Sequence, residues 1–197
     1  INIYDEISQK YIDALETSNS DESFVEYIPT EADYQAAVNA GVDTAIVVIS
    51  RFDGECVDMP ISEWNLFESE KSVLQNATKY FDKVIVVLNT PTPINTNWAF
   101  ANDMGIEVDS ILFAGYGGMQ GGYAIADVIL GDINPSGKLV DTIAYNLEDH
   151  PSNMNFGNYQ YTGVSGIPSY FVNYCEGIYV GYRYFETFAP EKVMYPF

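Results

Sequence analysis

Glu55 and Asp58 stand three residues apart in Ser50-Arg51-Phe52-Asp53-Gly54-Glu55-Cys56-Val57-Asp58, directly after the apolar run 44–49. A carboxyl group on such a loop can give and take a proton if apolar surroundings or a neighbouring negative charge raise its pKa. Glu55 is therefore the candidate general acid/base. The plain alternative is an exposed loop glutamate, the commonest setting for an acidic side chain.

No other set of residues competes. His150, the sole histidine, stands beside Pro151 and reads as a surface loop residue without catalytic partners. Cys56 and Cys175 are too few for a disulfide framework, lack metal spacing and read as free thiols. Gly117, Gly118, Gly121 and Gly122 look like a phosphate cradle, but the lysine and Ser/Thr of a P-loop and the full dinucleotide spacing are missing. Their missing side chains suit a close helix approach. No metal and no cofactor is expected.

The elements that must carry Glu55 follow from periodicity. Residues 4–15 place Ile7, Tyr11, Ile12 and Leu15 on one helical face. Residues 24–28 read as a short strand. Thr30 caps a helix over 31–39, Asp33 completes a capping box, and Gly41 stops the helix. Runs 44–49 and 83–88 are continuously apolar strands separated by an amphipathic helix over 65–81. A short helix around 98–102, a strand at 110–114, a helix at 121–130 and a strand at 138–143 complete the alternation. Strands apolar throughout and separated by helices imply a mostly parallel sheet covered on both faces. In such sheets ligands bind at the carboxyl ends of the strands, where Glu55 falls.

The chain of 197 residues suits one domain, with a core over about 24–143 and an irregular Tyr- and Gly-rich extension over 144–197. A net charge of −20 speaks for solubility and against nucleic acid or an anionic membrane as partner. No apolar run reaches the length of a membrane span. A start without Met and an end without a polar tail read as a piece of a longer protein. Few cysteines and an acidic composition favour a bacterial cytoplasmic setting.

Six islands together resemble the second, α/β-sandwich domain of glycoside hydrolase family 3. They are Ala45-Ile-Val-Val-Ile-Ser-Arg51, Gly54-Glu55-x-x-Asp58, Lys83-Val-Ile-Val-Val-Leu-Asn89, Gly117-Gly-x-Gln-Gly-Gly-x-Ala-Ile-Ala-Asp127, Gly131-Asp-x-Asn-Pro-Ser-Gly-Lys-Leu139 and Glu176-Gly-Ile-Tyr-Val-Gly-Tyr-Arg183. The resemblance implies a three-layer α/β/α sandwich with a mostly parallel, six-stranded, flavodoxin-like sheet. It also implies a (β/α)-barrel domain elsewhere in the same protein. That barrel would carry a nucleophilic aspartate, and this domain the acid/base and part of the sugar pocket. The implied reaction is retaining hydrolysis of β-linked glucosides, so the chain alone would be inactive.

Three further residues are substrate-binding candidates on this reading. Arg51 offers a charged fork, although an arginine ending a strand also suits a surface ion pair. Asp58 either binds a sugar hydroxyl, supports the loop or caps a turn. Trp64, like Trp98, is a stacking platform or a packing residue with a polar tip. Glu63 is a weaker rival to Glu55, and Glu68 and Glu70 open a helix where acids favour the dipole. Cys56 and Met59 depart from the family pattern, which has a small residue and an arginine there. The departures keep a non-catalytic sugar-binding module, or a β-xylosidase-type specificity, open. The glycine cluster keeps open a flavodoxin-like nucleotide binder.

Overall fold

Strands β1 (Thr44–Ser50), β2 (Lys83–Asn89) and β3 (Ser110–Phe113) pair in parallel in the order β1-β2-β3. Their β-branched runs fit a pleated surface. The register sets Thr44 against Lys83, Ser50 against Asn89 and Leu88 against Phe113, so the three strands end at a common edge. This is a computed structural model, and it describes residues 4–17, 26–52, 59–100, 104–155, 159–163 and 170–196. The chain divides into two compact units, Ile1–Asn134 and Pro135–Phe197.

In the first unit, helices α1 (Asp5–Thr17), α2 (Glu31–Asn39), α3 (Ile61–Trp64), α4 (Glu68–Tyr80) and α5 (Gly121–Leu130) accompany the sheet. Leu74 and Ala77 of α4 pack with Ile49, Val84, Val86 and Leu88 into one core, which Ile94, Trp98 and Ile106 extend. The alternation Ala45, Val47, Ile49 on β1 matches Val84, Val86, Leu88 on β2, as a period of two requires.

The opposite face is covered unevenly. Val87 of the central strand is buried, whereas Ile46 and Val48 of β1 are 50% and 54% exposed. Among the described residues β1 ends the sheet, and its face bearing Ile46 and Val48 is half exposed. The parallel sheet has three strands among the described residues, where six were expected for the whole domain. Of the strand expected at 24–28, residues 26–28 are described and are not extended into any ladder. Of the one expected at 138–143, only Ile143 joins a strand. Asp141 and Thr142 interrupt its apolar run, and Val140 is exposed.

The helix expected over 65–81 begins later. Asn65 and Phe67 are extended, and the Phe67 amide donates to the Glu70 carboxylate at 2.8 Å, starting α4 at Glu68. The Thr30 amide donates to Asp33 at 2.8 Å and the Thr30 hydroxyl at 2.7 Å, so the carboxylate half of the expected capping box fixes α2. The short helix near Trp98 is a 3₁₀ turn, Asn97–Ala99.

In the second unit, β4 (Ile143–Ala144) pairs antiparallel with β7 (Val193–Tyr195), and β5 (Tyr159–Gln160) with β6 (Tyr170–Phe171). Helix α6 (Tyr182–Phe188) supplies Phe185, fully buried against Ala144 and Ala189. Among the described residues no helix is long and apolar enough to cross a membrane.

Candidate active site at the carboxyl edge of the sheet

Parallel strands deliver their following loops to one edge, and here those loops are stitched together. The Arg51 amide donates to the Asn89 carbonyl at 3.3 Å, and Asn89 Nδ2 to Ser50 Oγ at 3.4 Å. Tyr116, after β3, donates its hydroxyl to the Arg51 carbonyl at 3.0 Å. Past the first loop, the Asn95 amide donates to the Trp64 carbonyl at 2.8 Å and its side chain to Asn65 Oδ1 at 2.9 Å. Thr92 Oγ1 approaches Met59 Sδ at 3.7 Å. Glu55 and Asp58 lie outside the described residues, as does Cys56; Arg51 and Trp64 flank them and are described.

Arg51 is the centre of the arrangement. Its Nε–H donates to the Glu63 carbonyl at 3.1 Å. One terminal nitrogen donates to the Ser50 carbonyl at 2.9 Å and to Glu70 Oε1 at 2.5 Å. The other donates to the Asn65 carbonyl at 3.1 Å and to Glu70 Oε2 at 2.9 Å. These five bonds use all five N–H hydrogens of a guanidinium, leaving none for a sugar hydroxyl. The ring of Phe67 lies 4.2 Å from the guanidinium carbon. With side-chain exposures of 2% and 13%, Arg51 is buried and Glu70 partly buried. The arginine of the surface ion pair allowed by sequence is therefore interior.

Trp64 is 6% exposed, so both faces of its ring are covered, and its indole N–H has no acceptor among the described residues. Trp98 is buried and donates to the Asn95 carbonyl at 2.6 Å, a packing residue with a satisfied polar tip. Glu26 is exposed overall, but desolvation of its carboxyl, then the Glu70 charge, raises its pKa against the opposing pull of Arg51. Among the described residues no cluster of His, Cys, Asp and Glu is placed to hold a metal ion.

Sequence reasoning missed Glu70 as the partner of Arg51 and Tyr116 as the tie to the third loop. Glu70 lies 19 residues from Arg51 and Tyr116 lies 65, so no local spacing marks either. His150, expected at the surface, is half-buried with its ring edge-on to Phe185 at 5.0 Å.

Of the glycine cluster, Gly117 alone makes a close approach that excludes a side chain; Gly118, Gly121 and Gly122 have open space beside them. A Cβ on Gly117 would lie 2.6 Å from Gly121 Cα, so the turn into α5 closes only without a side chain. The sequence model of the glycosyl hydrolase family 3 C-terminal domain matches residues 1–182. The chain belongs to glycosyl hydrolase family 3. This family 3 domain is 38% identical over 191 residues to beta-glucosidase A of Butyrivibrio fibrisolvens, an alignment covering 84% of the chain and 22% of that protein. An exo-alpha-(1->6)-L-arabinopyranosidase of Bifidobacterium longum is 37% identical over 147 residues, 74% of the chain and 16% of its own length. The solved structure of a beta-glucosidase from Paenibacillus barengoltzii superposes with a TM-score of 0.84 at 34% identity, covering 100% of the chain and 21% of the other. The family 3 domain thus spans about a fifth of these multidomain relatives.

Proposed function

We propose that this family 3 domain supplies the general acid/base of a retaining β-glucosidase, with Glu55 in that role. The observation carrying the reading is its alignment with enzymes described as beta-glucosidases across most of the chain. The stitched carboxyl edge around Arg51 supports it. A retaining mechanism needs two carboxyl groups about 5–5.5 Å apart. The nucleophile is assigned to a (β/α)-barrel elsewhere in the protein. Glu55 gives its proton to the glycosidic oxygen as the C–O bond to the leaving group breaks and the barrel carboxylate bonds to the anomeric carbon. It then takes a proton from water as the water oxygen displaces that ester. Asp58 is assigned to a sugar hydroxyl or to the loop, and the buried Trp64 to packing rather than to stacking on a sugar.

Replacing Glu55 by Gln in the full-length protein tests this. The loss is expected to be far larger for cellobiose, whose leaving group needs the proton, than for an activated aryl glucoside. Unchanged turnover of both would remove the acid role. The arabinopyranosidase relative gives a second specificity its own support. Parallel assays on aryl β-D-glucoside and aryl α-L-arabinopyranoside separate the two.

A further inference from the structure

We propose that Arg51 and Glu70 form a positioning pair for Glu55, acting on proton transfer rather than on sugar binding; this rests on the acid/base reading of Glu55. The guanidinium grips both shoulders of the loop. Upstream it holds the Ser50 carbonyl, and downstream those of Glu63 and Asn65. Glu70 completes the fork and is itself fixed by the Phe67 amide at the start of α4. Tyr116 holds the Arg51 carbonyl from the loop after β3. Glu55 lies four residues beyond Arg51 in sequence. The guanidinium thus ties together the two described ends of the segment that carries Glu55 in sequence.

The chemistry of the pair favours geometry over stability. A buried ion pair contributes little net stability compared with apolar residues of similar size. Its value lies in a planar, bidentate fit that fixes orientation, which lysine does not reproduce. Five saturated donors also deny Arg51 direct contact with substrate through a free N–H.

The test uses the full-length enzyme with Arg51→Lys, Glu70→Gln and, as reference, Glu55→Gln. The substrates are a disaccharide and a dinitrophenyl glycoside of the same sugar. A misplacement near 1 Å costs about 10²-fold. Arg51→Lys is thus expected to lower kcat/KM on the disaccharide by roughly 10- to 100-fold and on the dinitrophenyl glycoside by less than about 3-fold. Glu70→Gln should shift the ratio in the same direction. Equal losses on both substrates, or no loss, would overturn the positioning role while Glu55→Gln still shows its leaving-group dependence. If Glu55→Gln shows none, the acid/base reading falls and the positioning role with it. Should Arg51→Lys not fold, the near-isosteric Glu70→Gln decides alone.

Discussion

The hydroxyl of Tyr116 and the backbone carbonyl of Arg51 meet at 3.0 Å, joining the loop after β3 to the loop after β1 across β2. Tyr116→Phe removes the donor and leaves the ring. The expected cost is about 1 kcal/mol, the usual net value of one hydrogen bond. Urea denaturation with an unchanged m-value would show it. A variant as stable as the parent would mean that water replaces the phenol at that carbonyl.

The Arg51–Glu70 pair should behave very differently when broken and when replaced. Arg51→Met strands the partly buried Glu70 carboxylate, at an expected cost of up to about 3 kcal/mol. Arg51→Met with Glu70→Leu removes both charges and should recover part of that loss, although the Ser50, Glu63 and Asn65 carbonyls lose their donor. A double-mutant cycle from denaturation curves measures the coupling. Strict additivity would show that the two side chains do not interact.

Local pattern made the elements legible, and long-range pairing did not. The helices at Glu31–Asn39 and Gly121–Leu130 and the strand at Lys83–Asn89 follow from capping, glycine stops and continuous apolar runs. The strand expected over 138–143 failed because β-branched content does not say which strand will accept a ladder; Ile143 pairs instead with Tyr195. At the site, Arg51 stood out as a strand-ending cation, but its burial depends on Glu70, Glu63 and Asn65 converging through tertiary structure. A lone charged residue carries no record of such partners, so exposure was the default expectation.

Gly117→Ala should damage the turn into α5. The added Cβ would sit 2.6 Å from Gly121 Cα, a backbone atom that no side-chain rotation relieves. Gly122→Ala meets nothing within 4 Å and serves as the control. Thermal melting should place Gly117→Ala clearly below Gly122→Ala, since overpacking costs about 1–3 kcal/mol. Equal melting temperatures would show that the turn opens without penalty.

Asp33 should contribute to an acid limb of stability. Desolvation pushes its pKa up, but hydrogen bonds from Lys10, Tyr27 and Thr30 outweigh it and hold the carboxyl well below the usual carboxylate range. The folded pKa lies below the unfolded value near 3.8, so this stabilisation is present above that value and drains away as pH falls beneath it. Asp33→Asn should be less stable at neutral pH and lose less on acidification. Denaturation midpoints from about pH 7 to about pH 2 would show the two curves converging. Parallel curves would place the acid limb elsewhere.

His150 offers the sharpest reading of the second unit, because its imidazole is the only one in the chain. Burial lowers its pKa, while the charges of Asp141 and Asp149 pull upward, and Asp149 is held by Lys192 at 2.7 Å. A base whose folded pKa lies below the unfolded value near 6.5 binds fewer protons when folded. Its stabilising contribution is intact above that value and declines as pH falls through it towards the folded pKa. The single imidazole resonance, followed by NMR, should titrate with a midpoint below 6.5. His150→Phe keeps an aromatic edge against Phe185 and should flatten the stability slope between about pH 7 and about pH 5. A midpoint above 6.5 would show that the two aspartates, not burial beside Phe185, govern the ring.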